Sequence, residues 1–144
     1  MKTVRDVLDY KGYDIWSVSP EISVFEALKI LAEKDVGALL VMEGEDCVGI
    51  FTERDYARKV ILVGRHSKEM LVHEIMTPKV MFVRPEQTVE KCLALMTDKR
   101  VRHFPVMEDE KVVGLISIGD IVRAIIHDKQ LMINELEDYI WGRR

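Results

Sequence analysis

Apolar residues recur along the chain at two spacings, and the whole pattern is run through twice. Val24, Ala27, Leu28 and Leu31 keep the three-and-four spacing of one helical face, and Val89, Leu93 and Met96 keep it again. Ser23 and Thr88 precede these runs as N-cap residues, and Ser23 with Glu26 has the spacing of a capping box. The predicted helices run to Lys34 and Lys99. Two short apolar runs follow, residues 38–42 and 47–52, separated by the turn sequence EGED. Residues 104–107, EDEK and residues 112–117 repeat this arrangement, so each copy predicts a hairpin. A second helix starts after Thr52 and after Ser117, which makes each copy a strand, helix, strand, strand, helix unit.

The two copies align without gaps. Pro20 with Pro85, Val41 with Val106, Gly49 with Gly114 and Asp55 with Asp120 all stand 65 residues apart. Upstream, VRDVL at residues 4–8 matches VHEIM at residues 72–76 with an offset of 68, so the first copy carries three extra residues around positions 11–14. A single unit of about 60 residues leaves an apolar sheet face open, and a second copy closes it. The expected fold is mixed α and β (α+β), with two β-α-β-β-α motifs packed in a pseudo-twofold sandwich. The motifs are placed at 1–62 and 72–127, with a glycine-containing charged linker at 63–71 and a tail at 128–144. Met132, Leu136, Tyr139 and Ile140 share one face, which predicts an amphipathic helix over 129–141. Packing on its own domain is the expectation for this tail, and crossing to a second subunit is the alternative.

Bulk properties narrow the function classes. A net charge of −4 in 144 residues provides no broad basic field, and aromatic and basic residues do not interleave, so no nucleic-acid partner is expected. Cys47 and Cys92 lie in apolar runs without a Cys-x-x-Cys spacing, which points to reduced thiols. No apolar segment approaches the roughly 18 residues of a membrane span, and the first residues lack a secretory-signal pattern, so a cytoplasmic protein is expected. The four histidines show no metal-ligand spacing, and neither a nucleophile elbow nor a phosphate-binding glycine loop occurs. Neither a metal site nor a catalytic constellation is expected.

The candidate chemistry sits where each hairpin ends, at GIFTERD and GLISIGD. Gly49 and Gly114 lack a side chain and let another group approach the backbone. Thr52 and Ser117 stand where unpaired helix N–H groups suit hydroxyl or phosphate oxygens. Three residues on, Asp55 and Asp120 offer carboxylates that accept hydrogen bonds from neighbouring hydroxyls, as on a ribose. The same Thr-x-x-Asp and Ser-x-x-Asp spacings also describe a helix cap of about 1 kcal/mol that involves no ligand. Arg102 and His103, just before the second hairpin, suit a phosphate, whereas the first copy has Gly37 and Ala38 there and forms a roomier, less charged wall. Arg54 is a further phosphate candidate, and an exposed helix arginine is its ordinary reading.

With VHEIMTP and VRHFPV, these motifs resemble the cystathionine β-synthase (CBS) domain family in its tandem, or Bateman-module, form. The likeness covers residues 1 to about 127 and is greatest to stand-alone bacterial CBS-pair proteins carrying GIxTERDxxRK, RHxPV and GLxSIGDxV in this order. It implies an adenosine site in which the aspartate grips the ribose, the hydroxyl assists, and the base lies near Ile15, Trp16 and Ser17 or near Lys79, Val80 and Met81. AMP and NAD(H) are the leading ligands, with ATP, ADP and S-adenosylmethionine open. The implied role is a regulatory, energy-sensing module in a disk-like homodimer, acting on a partner that the chain does not name. A dimerisation scaffold that ignores nucleotides is the alternative, and a small nucleotide-consuming enzyme has least support because no general base stands near a nucleophile.

Overall fold

Each copy opens with a short helix that the other copy uses. The computed structural model describes residues 1–142, so the end of the expected tail, 143–144, lies outside the described residues. Helix α1, Val4–Lys11, starts at Thr3 in a full capping box with Asp6. Its apolar face, Val4, Val7 and Leu8, is buried among Val83, Val89, Cys92, Met96, Phe104, Val106, Ile116 and Ile121 of the second copy. Conversely, helix α4, Val72–Ile75, buries Val72 and Ile75 among Val18, Val24, Ala27, Leu31, Leu39, Val41 and Phe51 of the first. The backbone seals both exchanges. Val4 and Arg5 donate to the carbonyls of Gln87 and Pro85, and Val72 and His73 donate to those of Ile22 and Pro20, at 2.9–3.0 Å. Arg5 further pairs with Glu86 and Glu108.

Within each copy the predicted order holds. Helices α2, Val24–Lys34, and α5, Val89–Lys99, start at Ser23 and Thr88 and end at left-handed Asp35 and Arg100. Ser23 accepts from the Glu26 amide but the reciprocal bond is missing, so only half of the expected box forms. The hairpins are β2, Ala38–Glu43, with β3, Asp46–Thr52, and β4, His103–Glu108, with β5, Lys111–Ser117. Their registers match one for one, including a bulge after Val41 and after Val106. The first strand of each copy is slight. β1 is Ser17–Val18, parallel to β2, and its counterpart is a single bridge from Val83 to Val106, so the sheets have three strands and two. Between the halves, Ala38, Leu40 and Ile50 meet Ile15, Val80, Val112 and Leu115, which closes the sandwich. The linker is not idle, because Met70 is buried and the carbonyls of Met70 and Ser67 accept from Val24 and Phe25 at the start of α2.

The closing helices differ. After β3, α3 is only Glu53–Tyr56 and widens into a π turn over Ala57–Ile61, whereas α6 runs unbroken from Ile118 to Trp141. The expected boundary at 127/128 therefore falls inside one helix. Contrary to the packing expected of the tail, its apolar residues are open: Met132 is 61% exposed, Leu136 56% and Tyr139 85%. Among the described residues, α6 reaches a core through its first turns, where Ile121 and Ala124 are buried and Ile118 and Ile125 pack beside them.

Candidate functional site

The two glycines in the repeated motif receive the exchanged helices. A methyl group built on Gly49 lies 2.5 Å from Met76 Sδ, and one on Gly114 lies 2.8 Å from Leu8 Cδ2. The approach anticipated at these positions is thus made by an apolar side chain of the protein itself, which pins each strand exit to the helix crossing over it.

Directly after each glycine the chain turns from strand into helix around a buried aspartate, each 8% exposed. At the first, Thr52 Oγ1 accepts from the Asp55 amide at 3.1 Å while Asp55 Oδ2 accepts from the Thr52 amide and hydroxyl, also at 3.1 Å. Thr77 Oγ1 donates to Asp55 Oδ1 at 3.2 Å, and Lys59 Nζ stands 3.2 Å from the same oxygen while donating to the Ile75 carbonyl at 2.9 Å. At the second, Ser117 Oγ accepts from the Asp120 amide at 3.1 Å, and Asp120 Oδ2 accepts from the Ser117 amide at 2.9 Å and from Lys11 Nζ at 2.7 Å. Arg123 donates to Asp120 Oδ1 at 2.9 Å. Both helices therefore begin with a full capping box, and both carboxylates carry a lysine.

The partners come from different places. Lys59 lies one turn beyond Asp55, while Lys11 ends α1 inside the three-residue insertion and also holds the Leu115 carbonyl at 2.9 Å. Burial pushes the Asp120 carboxyl up, but bonds from Lys11 and Ser117 and the lysine charge outweigh it, so its pKa is held below the ordinary range.

At this same end of the second hairpin, His103 pairs with Ser117 across the β4–β5 ladder, and the Arg102 carbonyl accepts from the Ile118 amide at 2.9 Å. Gly37 does the same for Glu53 at 3.2 Å. The two entrances converge: a methyl group on Gly37 would lie 3.7 Å from His103 Nε2 and 3.8 Å from Glu53 Oε1. The wall read as less charged thus carries the Glu53 carboxylate, which sequence reasoning passed over inside TERD. Burial lowers the His103 pKa first, with Asp120 opposing and Lys11 and Arg102 reinforcing the shift. Lys11, Arg102, His103, Ser117 and Asp120 therefore form one electrostatic group.

The remaining candidates scatter. Ile15 and Val80 meet in the seam between the halves. Trp16 is 37% exposed, with Lys34 Nζ 4.4 Å from its ring centroid, and Met81 is 42% exposed. Lys79 is exposed and left-handed, and Arg54 is exposed on α3. Lys11, Lys59, Thr77 and Arg123 were missed. Lys59 and Arg123, four and three residues beyond their aspartates, carried a spacing signal, whereas Lys11 and Thr77 reach their carboxylates only through the helix exchange.

Both titrating groups oppose acid. A carboxyl with a lowered folded pKa contributes stability above its unfolded value of 3.8, lost as pH falls through the folded value. His103, held neutral by burial, contributes above 6.5 and loses that contribution as pH falls through its lowered folded value. The melting temperature of His103→Gln should therefore fall less than that of the wild type on acidification from pH 6.5 downward. Parallel curves would remove His103 from this account.

Comparison with known proteins agrees with the twofold design. The CBS domain model matches twice, over residues 3–62 and 72–127. The chain belongs to the CBS domain family. This CBS pair is 41% identical over 150 residues to the mitochondrial CBS domain-containing protein CBSX3 of Arabidopsis thaliana, covering 97% of the chain and 72% of the relative. A putative signal-transduction protein with CBS domains from Burkholderia ambifaria superposes with a TM-score of 0.85 at 51% identity, over 88% of this chain and 95% of the other. The CBS domain pair of protein MJ0100, solved with 5′-methylthioadenosine and S-adenosyl-L-methionine, superposes with a TM-score of 0.76 at 27% identity, over 85% and 98%. CBS pairs are in general regulatory, ligand-binding modules. Among the described residues, no helix is long and apolar enough to cross a membrane.

Proposed function

We propose that this CBS pair is a cytoplasmic sensor that binds an adenine nucleotide, AMP or NAD(H) ahead of ATP, ADP and S-adenosylmethionine, and signals occupancy through the arrangement of its halves. The observation that carries this reading is the group around Asp120. A buried carboxylate suited to a ribose diol sits beside Ser117, with the cations Lys11, Arg102 and Arg123 and the His103 imidazole at hand for phosphates. The relative in complex with two adenosyl compounds supports the ligand class. A ligand that touches Asp120 meets Lys11, hence α1 and the crossover back to the first half, so ribose binding and the relative placement of the halves share one lysine.

A second reading has its own support. Every contact described at Asp55 and Asp120 is made within the protein, so both motifs work as helix caps unaided, and a scaffold needs no more. Calorimetric titration with the six nucleotides, followed by chromatography of the ligand, separates the classes. The sensor reading expects saturable binding with the nucleotide recovered intact. Heatless titrations across the panel would favour the scaffold, and conversion of the nucleotide would make the protein an enzyme.

A further inference from the structure

A cavity of about 420 Å³ opens between α1 and α6 with Asp120 in its wall, a volume that suits a small organic ligand. Val7, Ala124 and Ile126 give it apolar lining, while Lys11, Arg123 and His127 face the same space, and Asp120 is the single carboxylate among the residues that line it. That carboxylate is nearly full. Of its roughly four acceptor positions, Oδ2 uses two for the Ser117 amide and Lys11, and Oδ1 uses one for Arg123. A ribose diol that donates twice therefore has to displace a resident donor. Arg123 is the one placed to leave: its side chain is 71% exposed against 33% for Lys11, and Lys11 is also held by the Leu115 carbonyl at 2.9 Å. Gly119 gives the guanidinium its room, because a methyl group there would lie 3.3 Å from Arg123 Nη1. The first copy has Arg54 at that position, and Asp55 is held instead by Lys59 and the Thr77 hydroxyl. The arrangement belongs to Asp120.

We propose that Arg123 selects the ligand of this cavity by exchange: the ribose diol takes its place on Asp120 Oδ1, and the guanidinium turns to a phosphate on the same ligand. The ligand class is then a nucleoside that carries phosphate. A guanidinium drawn off a buried carboxylate loses a charge-assisted hydrogen bond, which a phosphate restores in bidentate form and an uncharged nucleoside does not. AMP and NAD complete the exchange. Adenosine and 5′-methylthioadenosine lack the anion, and S-adenosylmethionine brings a sulfonium toward Lys11 and Arg123, where like charges repel. Selection against these compounds requires no contact with the base. The inference rests on the nucleotide reading above and fails separately from it.

Calorimetric titration of the full chain with AMP, NAD, adenosine, 5′-methylthioadenosine and S-adenosylmethionine tests it, comparing the wild type with Arg123→Met and Arg123→Lys. The wild type should bind AMP at least about ten-fold tighter than adenosine, the least expected of one hydrogen bond between charged groups, and S-adenosylmethionine weakest of all. Arg123→Met should weaken AMP about ten- to a hundred-fold while adenosine binds as well as before or better, since Asp120 Oδ1 is no longer occupied. Arg123→Lys keeps the charge without the fork and should retain part of the preference. Both variants should melt cooperatively, because the replaced side chain is exposed. Equal affinities for AMP and adenosine in the wild type, S-adenosylmethionine ahead of AMP, or a loss in Arg123→Met that is the same for AMP and adenosine would overturn the exchange and leave the nucleotide reading in place. Binding of none of the five by wild type freed of co-purified nucleotide would overturn both.

Discussion

Replacing Leu8 by alanine should cost the fold about 2–5 kcal/mol, the range for truncating a buried leucine, although Leu8 lies in the first turns of a helix near the start of the chain. It is 1% exposed, it belongs to the core of the second copy, and its methyl groups rest where Gly114 has no side chain. The converse change, Gly114→Ala, introduces a methyl group 2.8 Å from Leu8 Cδ2 in a packed environment and should cost about 1–3 kcal/mol by overpacking. Combined, the two changes should relieve one another, since the new methyl enters space that the leucine has vacated. Chemical denaturation of the four proteins would read this as a coupling of about 0.5–3 kcal/mol. Additive losses would mean that Leu8 and Gly114 do not meet and that α1 is not exchanged as described.

The second large effect concerns ligand. A nucleotide present at about a hundred times its dissociation constant adds roughly 2.7 kcal/mol per site, on the order of 5–10 °C in melting temperature for a domain of this size. AMP or NAD should produce such a shift, and Asp120→Asn should remove it, because the amide keeps the size of the carboxylate but cannot accept from two hydroxyls while holding Lys11. Asp55→Asn reports on the other aspartate in the same way, and whichever variant loses the shift marks the working cleft. The unliganded variants should themselves melt lower, through loss of the charged cap and its lysine, so the readout is the ligand-induced difference. A shift that survives in both would place the nucleotide elsewhere. Its absence in folded wild type freed of co-purified nucleotide would leave the motif as a pair of helix caps.

The repeat, the hairpins, the capped helices and both motif aspartates are legible in the sequence because each rests on local spacing: a constant offset of 65, helical periodicity, and Thr or Ser three residues before Asp. The exchange of α1 and α4 is not, because the periodicity of Val4, Val7 and Leu8 shows that a helix has an apolar face but not which core receives it. The glycines illustrate the same boundary. Their lack of a side chain announces a close approach, while Leu8 and Met76 as the approaching groups require the fold. Lys11 was missed because a lysine in an insertion reads as solvated, although this one holds a buried carboxylate. The length of α6 was lost to a boundary drawn where the repeat stops, whereas a helix continues as long as its backbone can propagate.

The exchanged helices bear on how such a chain can arise. A single copy released from this protein has an open core and an arm that fits the core of a sibling, so two identical single-copy chains would clasp as a swapped homodimer with both cores filled. Joining them end to end through residues 63–71 keeps both exchanges, adds the linker's own hold on the start of α2, and fixes one partner for good. The three extra residues around Lys11 then become possible, because once the copies share one chain a change on one side need not be mirrored on the other. The unequal treatment of Asp55 and Asp120 is thus a freedom gained by fusion, and it is where a paired ancestor with two identical pockets would diverge into a protein with two different ones.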